Sequence, residues 1–225
     1  EDAAPENEVT GDASADDSFV VWGWNDDIKK ILDGPFKEAY PDDYERIVFV
    51  NTGGSDYYQG KLDPVLDDPS NELYPDMMGL EVDYVQKYVN SDWVQNVADL
   101  GITDDEIADQ YQYTKDVMTD SDGNLKGLSW QGCPGVLFYN RAAAKEVLGT
   151  DDPDEVQKSV ADWDTFNATA EKMKAAGYKM TSTANDTYRV YSNNVSKKWV
   201  SDDKKIQIDD NLSLIHISEP TRPEP

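Results

Sequence analysis

The residues of this chain that could do chemistry are carboxylates, which are everywhere, and aromatic rings beside amides, which are not. Asp and Glu account for 46 of 225 residues. A pair of carboxylates is all that a glycosidase needs, but Asp26 with Asp83 is one pair among many, so pairing carries no signal. No G-x-S-x-G elbow is present to hold a nucleophilic serine. Cys133 is the one cysteine, and the one histidine, His216, lies in the C-terminal tail. No Cys–His pair is therefore expected, and no intrachain disulfide can form. Residues 120–124 (DSDGN) are spaced somewhat like a calcium loop, but the glycine falls at the wrong position and the distal Glu is absent. They read as a hairpin turn. Gly53-Gly54 lack the lysine of a phosphate loop. No metal site and no cofactor are expected.

The aromatic and amide residues form a more particular pattern. They are Trp24-Asn25-Asp26, Tyr57, Asp83-Tyr84, Ser129-Trp130-Gln131 and, further along, Tyr188. A sugar presents apolar C–H faces and a ring of hydroxyls. An aromatic ring stacks on the face, while Asp, Asn, Gln and Ser pair with the hydroxyls. Any one of these aromatics is more often a packing residue than a ligand contact, and Trp22 is read as core. Trp130 stands beside Gly132 and Pro134-Gly135, which break regular structure. On that segment alone, packing against a tight turn and an exposed ring are equally open.

What gathers these residues is the order of elements. Residues 19–24 (FVVWGW) and 46–51 (RIVFVN) are continuous apolar β-forming runs, so buried strands. Residues 77–82 form a weaker third strand. Helical stretches follow each: Asn25-Asp26 caps one through Leu32 that breaks at Gly34-Pro35, a second covers 56–66 and a third 84–89. Strand–helix alternation implies a parallel sheet, and ligands collect at the carboxyl ends of its strands. That rim holds Trp24 to Asp26, residues 52–57, and Glu81, Asp83 and Tyr84. Residues 102–119 read as helix or helix plus loop. After the turn at 120–124, residues 136–139 (VLFY) read as a buried strand. Helices follow over 142–148, ended by Gly149, and from about 161 to 176, ended by Gly177. Residues 178–181 and 205–209 read as short strands, and 185–194 as irregular.

The segment G-L-S-W-Q-G-C-P-G-V-L-F-Y-N-R (residues 127–141) resembles the lobe-to-lobe crossover of family 1 extracellular solute-binding proteins of carbohydrate ABC transporters. Trp163 before a helix and the W-V-S-D-D run at 199–203 resemble the same family, although Lys198 stands where the family often has Pro. The resemblance covers most of residues 19–209. It implies an α/β fold of the periplasmic-binding-protein type II kind, two lobes with mostly parallel sheets and the second lobe incomplete. It further implies a carbohydrate ligand, an ABC permease as partner, an extracytoplasmic monomer, and membrane attachment only through an N-terminal lipid anchor. By position it supports Trp24 to Asp26, Asp83-Tyr84 and Ser129 to Gln131 as ligand contacts; Tyr188 is a separate candidate from the second lobe. Trp163 is implied to be a packing residue. The expected division is a disordered acidic tether over 1–18, lobe one over 19–132, part of lobe two over 133–211, and a non-native tail over 212–225. That tail, beginning LSLIHISEPTR, resembles a translated sequencing-library adapter; a real hydrophobic tail strand is the alternative.

Composition sets limits. The net charge is −26 and the isoelectric point about 4.1. Phosphate recognition needs clustered Lys and Arg, so nucleic acid and anionic lipid surfaces are poor partners. Six Trp and thirteen Tyr argue against a disordered acidic polymer. No apolar run reaches the length of a transmembrane helix. Two rival functions remain: a hydrolase using paired carboxylates, and a binding protein for a peptide or polyamine.

Overall fold

A computed structural model describes residues 4–192, 199–201 and 203–207. The expected tail at 212–225, with His216, lies outside the described residues. The chain divides into two compact units, residues 1–132 and 133–225.

The first unit is built on a four-stranded sheet of order β1-β3-β2-β4. Its strands are β1 (Glu8–Thr10), β2 (Phe19–Gly23), β3 (Ile47–Asn51) and β4 (Met77–Met78). β2 runs parallel to both β3 and β4, with Val21 opposite Phe49 and Met77. Successive strand side chains point to opposite faces, and the apolar runs are buried because both faces are covered. Val20, Trp22, Val48 and Val50 pack on one face with Tyr58, Leu62, Leu66 and Tyr88. Those partners come from helices α4 (Ser55–Leu66) and α5 (Val85–Val89). Val21 and Phe49 pack on the other face with Ile28 and Leu32. Trp22 is fully buried and its indole donates to the Leu73 carbonyl at 2.8 Å.

After β2 comes α1 (Asp27–Ile31). Gly34-Pro35 kink the chain rather than end the helical run, because Pro35 sits in a π-type turn, Leu32–Phe36, that carries on into α2 (Lys37–Ala39). A short α3 (Pro41–Tyr44) then leads into β3. The third strand is shorter than its apolar run suggested. Asp76 opens it, its carboxylate accepting from the Val20 amide at 2.8 Å. Residues 102–119 hold only one helix, α6 (Gln112–Val117). The turn at 120–124 is a hairpin turn. The Asp120 carboxylate accepts from the backbone amides of Asn124 (2.8 Å) and Asp122 (2.9 Å), and Thr119 bridges Leu125.

The N-terminal segment is not a free tether throughout. β1 pairs antiparallel with β3, Val9 opposite Val50. Edge pairing uses backbone groups, so it needs little of the apolar content whose absence suggested disorder. Gly11 completes the strap at φ 97°, so close to the sheet that a Cβ there would lie 2.5 Å from the Ile47 carbonyl. Lys61 ties Pro5 down as well, donating to its carbonyl and, at 2.9 Å, to that of Thr52.

The described part of the second unit holds α7 (Arg141–Leu148), α8 (Pro153–Lys158), α9 (Trp163–Ala175) and α10 (Ala184–Ser192). Asn140 and Asp152 cap α7 and α8, and Asp162 with Thr165 forms a capping box on α9. Gly177 ends α9 in a left-handed turn, with Tyr178 N–H reaching the Met173 carbonyl at 2.9 Å. Trp163 packs edge-on against Phe166. Three expectations fail here. Residues 136–139 form no strand and are not buried, and Phe138 is 90% exposed. A β-forming run becomes a strand only where a ladder receives it, and helices dominate the described residues around it. Residues 178–181 form no strand, while 185–192 lie in α10. Of residues 205–209, Ile206 makes a single bridge to Val200, and 208–209 lie outside the described residues.

Candidate functional site

The parallel strands bring their carboxyl ends to one edge of the sheet. There the Thr52 amide donates to the Gly23 carbonyl at 3.0 Å and the Gly79 amide to the Trp22 carbonyl at 2.9 Å. Beyond this edge lies a cavity of about 200 Å³ lined by Gly23, Trp24, Asn25, Asp27, Ile28, Glu81, Trp130 and Gln131. Segments far apart in sequence converge here: the loop after β2, the loop after β4, and the stretch that closes the first unit.

Each side chain has a local reason for its place. Trp24 is half-buried and meets Tyr58 edge-on, the ring centroids 5.4 Å apart. It has room because residue 79 is glycine: a Cβ there would stand 2.8 Å from Ile28 Cδ1 and 3.2 Å from the Trp24 ring. Asp26 stands at the N-cap of α1 without a side-chain cap bond, and Asn25 braces the helix start instead. Its Oδ1 accepts from the Asp27 amide at 2.9 Å and its Nδ2 donates to the Asp27 carboxylate at 3.1 Å. Trp130 is 42% exposed. The turn around it is held by Ser129, whose hydroxyl donates to the Gln131 carbonyl at 2.7 Å and accepts from the Gln131 amide at 3.3 Å. Two indoles, a side-chain amide pair and two carboxylates thus line one opening. Ring faces for C–H surfaces and acceptors for hydroxyls are the groups a polyhydroxylated ligand needs.

Of the ten residues singled out in sequence, Trp24, Asn25, Trp130 and Gln131 line this cavity directly. Ser129 supports it through its turn. Asp26 lines a different cavity, of about 240 Å³, with Glu8, Lys29 and Asp33 among others, and its carboxylate accepts from Asn51 at 3.0 Å. Tyr57 sits in the first turn of α4 and Asp83 on the loop after β4, and neither lines the opening. Tyr84 turns its ring into the core, stacked on Tyr58 at 6.4 Å. Among the described residues its buried hydroxyl has no hydrogen-bond partner, and burial pushes its pKa up to about 12, with Glu81 adding to the rise. Tyr188 belongs to α10 of the second unit and is exposed. Gly23, Asp27, Ile28 and Glu81 are the lining residues not singled out. Glu81 follows the third strand, so the rule that placed Asp83 there also pointed to it. Among the described residues no group of His, Cys, Asp and Glu is arranged to hold a metal ion.

A family profile described as bacterial extracellular solute-binding protein matches residues 32–206. The chain belongs to the bacterial extracellular solute-binding proteins. Among solved structures it is similar to one described as "Crystal structure of Extracellular solute-binding protein family 1", with 21% identity and a TM-score of 0.65 over 89% of this chain and 50% of that one. That likeness is one of fold, an α/β architecture with a mostly parallel sheet. This solute-binding protein therefore spans half the length of the structure it matches. A comparison with curated proteins finds no match. The family's setting is extracytoplasmic, and among the described residues no helix is long and apolar enough to cross a membrane.

Proposed function

We propose that this chain carries the first lobe and part of the second of the substrate-binding component of an ABC importer. It takes a carbohydrate, in our reading an oligosaccharide, and delivers it to the permease. The observation that supports the sugar is the pairing of Trp24 and Trp130 with Asn25, Gln131 and Glu81 around one opening. Two rings suit successive sugar faces, and the polar groups suit the hydroxyls between them. In the whole protein, contacts made by both lobes would favour a closed state, and closure is what a permease would recognise. Residues 133–211 belong to that second lobe in this reading, and the protein works as a monomer. A lipid anchor ahead of the strap holds it to the membrane in this reading. Tyr188 would contribute from the second lobe, and Asp26, Tyr57, Asp83 and Tyr84 would act as flanking or supporting residues rather than direct contacts.

Tryptophan fluorescence tests this, because two of the six indoles lie at the opening. Titration with neutral oligosaccharides should give a saturable change that short peptides and polyamines do not. A saturable response only to peptide or polyamine would overturn the sugar. Release of shorter products from end-labelled oligosaccharides would overturn the binding role in favour of a hydrolase.

A further inference from the structure

The polar groups of the Trp24–Trp130 cavity are not equally available. Asn25 and Asp27 satisfy each other, and Lys30 stands 3.3 Å from the Asp27 carboxylate. Glu81 differs. It is half-buried and lines the opening. Its carbonyl accepts from the Tyr84 and Val85 amides at 3.2 and 2.9 Å, but among the described residues its carboxylate makes no hydrogen bond or ion pair. Among the described residues no Lys or Arg lines the cavity, and the chain as a whole carries −26. An ionised carboxylate only accepts hydrogen bonds. A ligand that fills this opening must bring donors to Glu81, and adjacent hydroxyls on one sugar ring match the two oxygens. An acidic sugar would instead bring like charge where no cation waits.

We propose that Glu81 is the specificity-determining residue of this cleft: it accepts an adjacent hydroxyl pair of a neutral sugar and rejects acidic sugars. This rests on the carbohydrate reading above. An ammonium on an amino sugar would meet the same carboxylate, and the test separates the two.

The test is a fluorescence titration of the 225-residue chain and of its Glu81→Gln and Glu81→Asp variants. The probes are neutral 1,4-linked tetrasaccharides of glucose, mannose and galactose, tetragalacturonate and tetramannuronate, and the glucosamine tetramer. The unsubstituted chain should bind a neutral tetrasaccharide at least about tenfold more tightly than either uronate. Glu81→Gln should weaken the neutral ligand by about ten- to a hundredfold, as for a lost hydrogen bond to a charged group, and narrow the gap to the uronates. Glu81→Asp, which keeps the charge, should still discriminate against the uronates. Equal weakening of neutral and acidic ligands by Glu81→Gln, or no weakening, would overturn the role of Glu81 and leave the carbohydrate reading standing. Preference for the glucosamine tetramer over every neutral sugar would replace the hydroxyl pair with an ammonium. Silence toward every saccharide would remove both readings together.

Discussion

Trp22 and Trp24 stand two residues apart on the same strand run and have opposite fates. Trp22 is sealed beneath α4 and α5, while Trp24 passes the end of β2 and borders the opening. Trp130 goes further and leaves 42% of its surface exposed. Its replacement should therefore cost binding and not folding. Trp130→Ala should weaken oligosaccharide affinity by about 1–3 kcal/mol, the range for losing one stacked ring, with an unchanged melting temperature. Calorimetric titration beside a thermal scan reads both, and unchanged affinity would remove Trp130 from the site. Trp24, Asn25, Trp130 and Gln131 were legible in the sequence because aromatic-plus-amide residues there follow strands or close the first unit. Glu81 was harder to see. Among 46 acidic residues, nothing in the chain order says which carboxylate will be left without a partner. Tyr84 was misleading for a related reason: sequence gives its place on the rim, but not that its ring turns inward to Tyr58.

At the scale of elements, β2 and β3 were legible because both of their faces are buried and the apolar runs are unbroken. β4 reduces to two paired residues, because the glycine that follows gives its space to Trp24 and Ile28. Residues 136–139 show the reverse error: composition proposes a strand, but only a neighbouring ladder can make one. β1 was missed because its pairing is carried by the backbone. Gly11 is the residue that betrays it. Gly11→Ala would add a Cβ 2.5 Å from the Ile47 carbonyl at φ 97°, a conformation costing about 1–3 kcal/mol outside glycine. β1 should lift away, and amide exchange should quicken in β1 and along β3 while α5 stays protected; unchanged exchange would mean the strap does not depend on that close approach. The turn before Trp130 makes a separate prediction. Asp120 is held below the usual carboxylate value, first by the Asn124 amide and then by the Asn124 side chain, with Asp122 and Lys126 also contributing. A depressed carboxylate gives its full stabilisation above its unfolded value and loses it as pH falls through the lower folded one. Asp120→Asn should therefore lower the melting temperature at pH 7 and flatten its fall as pH drops below the ordinary aspartate value of 3.8. Parallel pH profiles for the two proteins would contradict this.

At the scale of the whole molecule, the units are unequal. The first carries both apolar clusters of the sheet. In the described part of the second, the buried side chains are small: Ala143, Ala144, Val156 and Thr169. Among the described residues the burial that drives folding is therefore concentrated before residue 133. The chain spans half of the solved relative. Residues 131–140 form no regular structure, with Leu137 54% and Phe138 90% exposed. A protease needs an accessible extended stretch of several residues, and folded strands and helices do not offer one. Brief chymotrypsin treatment should cut first after Leu137 or Phe138. The N-terminal fragment should then resist further digestion, keeping its near-ultraviolet tryptophan signal because Trp22 and Trp24 are held by contacts made before residue 133. The second unit should be digested onward, since little apolar surface closes it. Early cleavage inside α4 or α5, with the 137–138 bonds intact, would show that stability is not divided as the buried surface says.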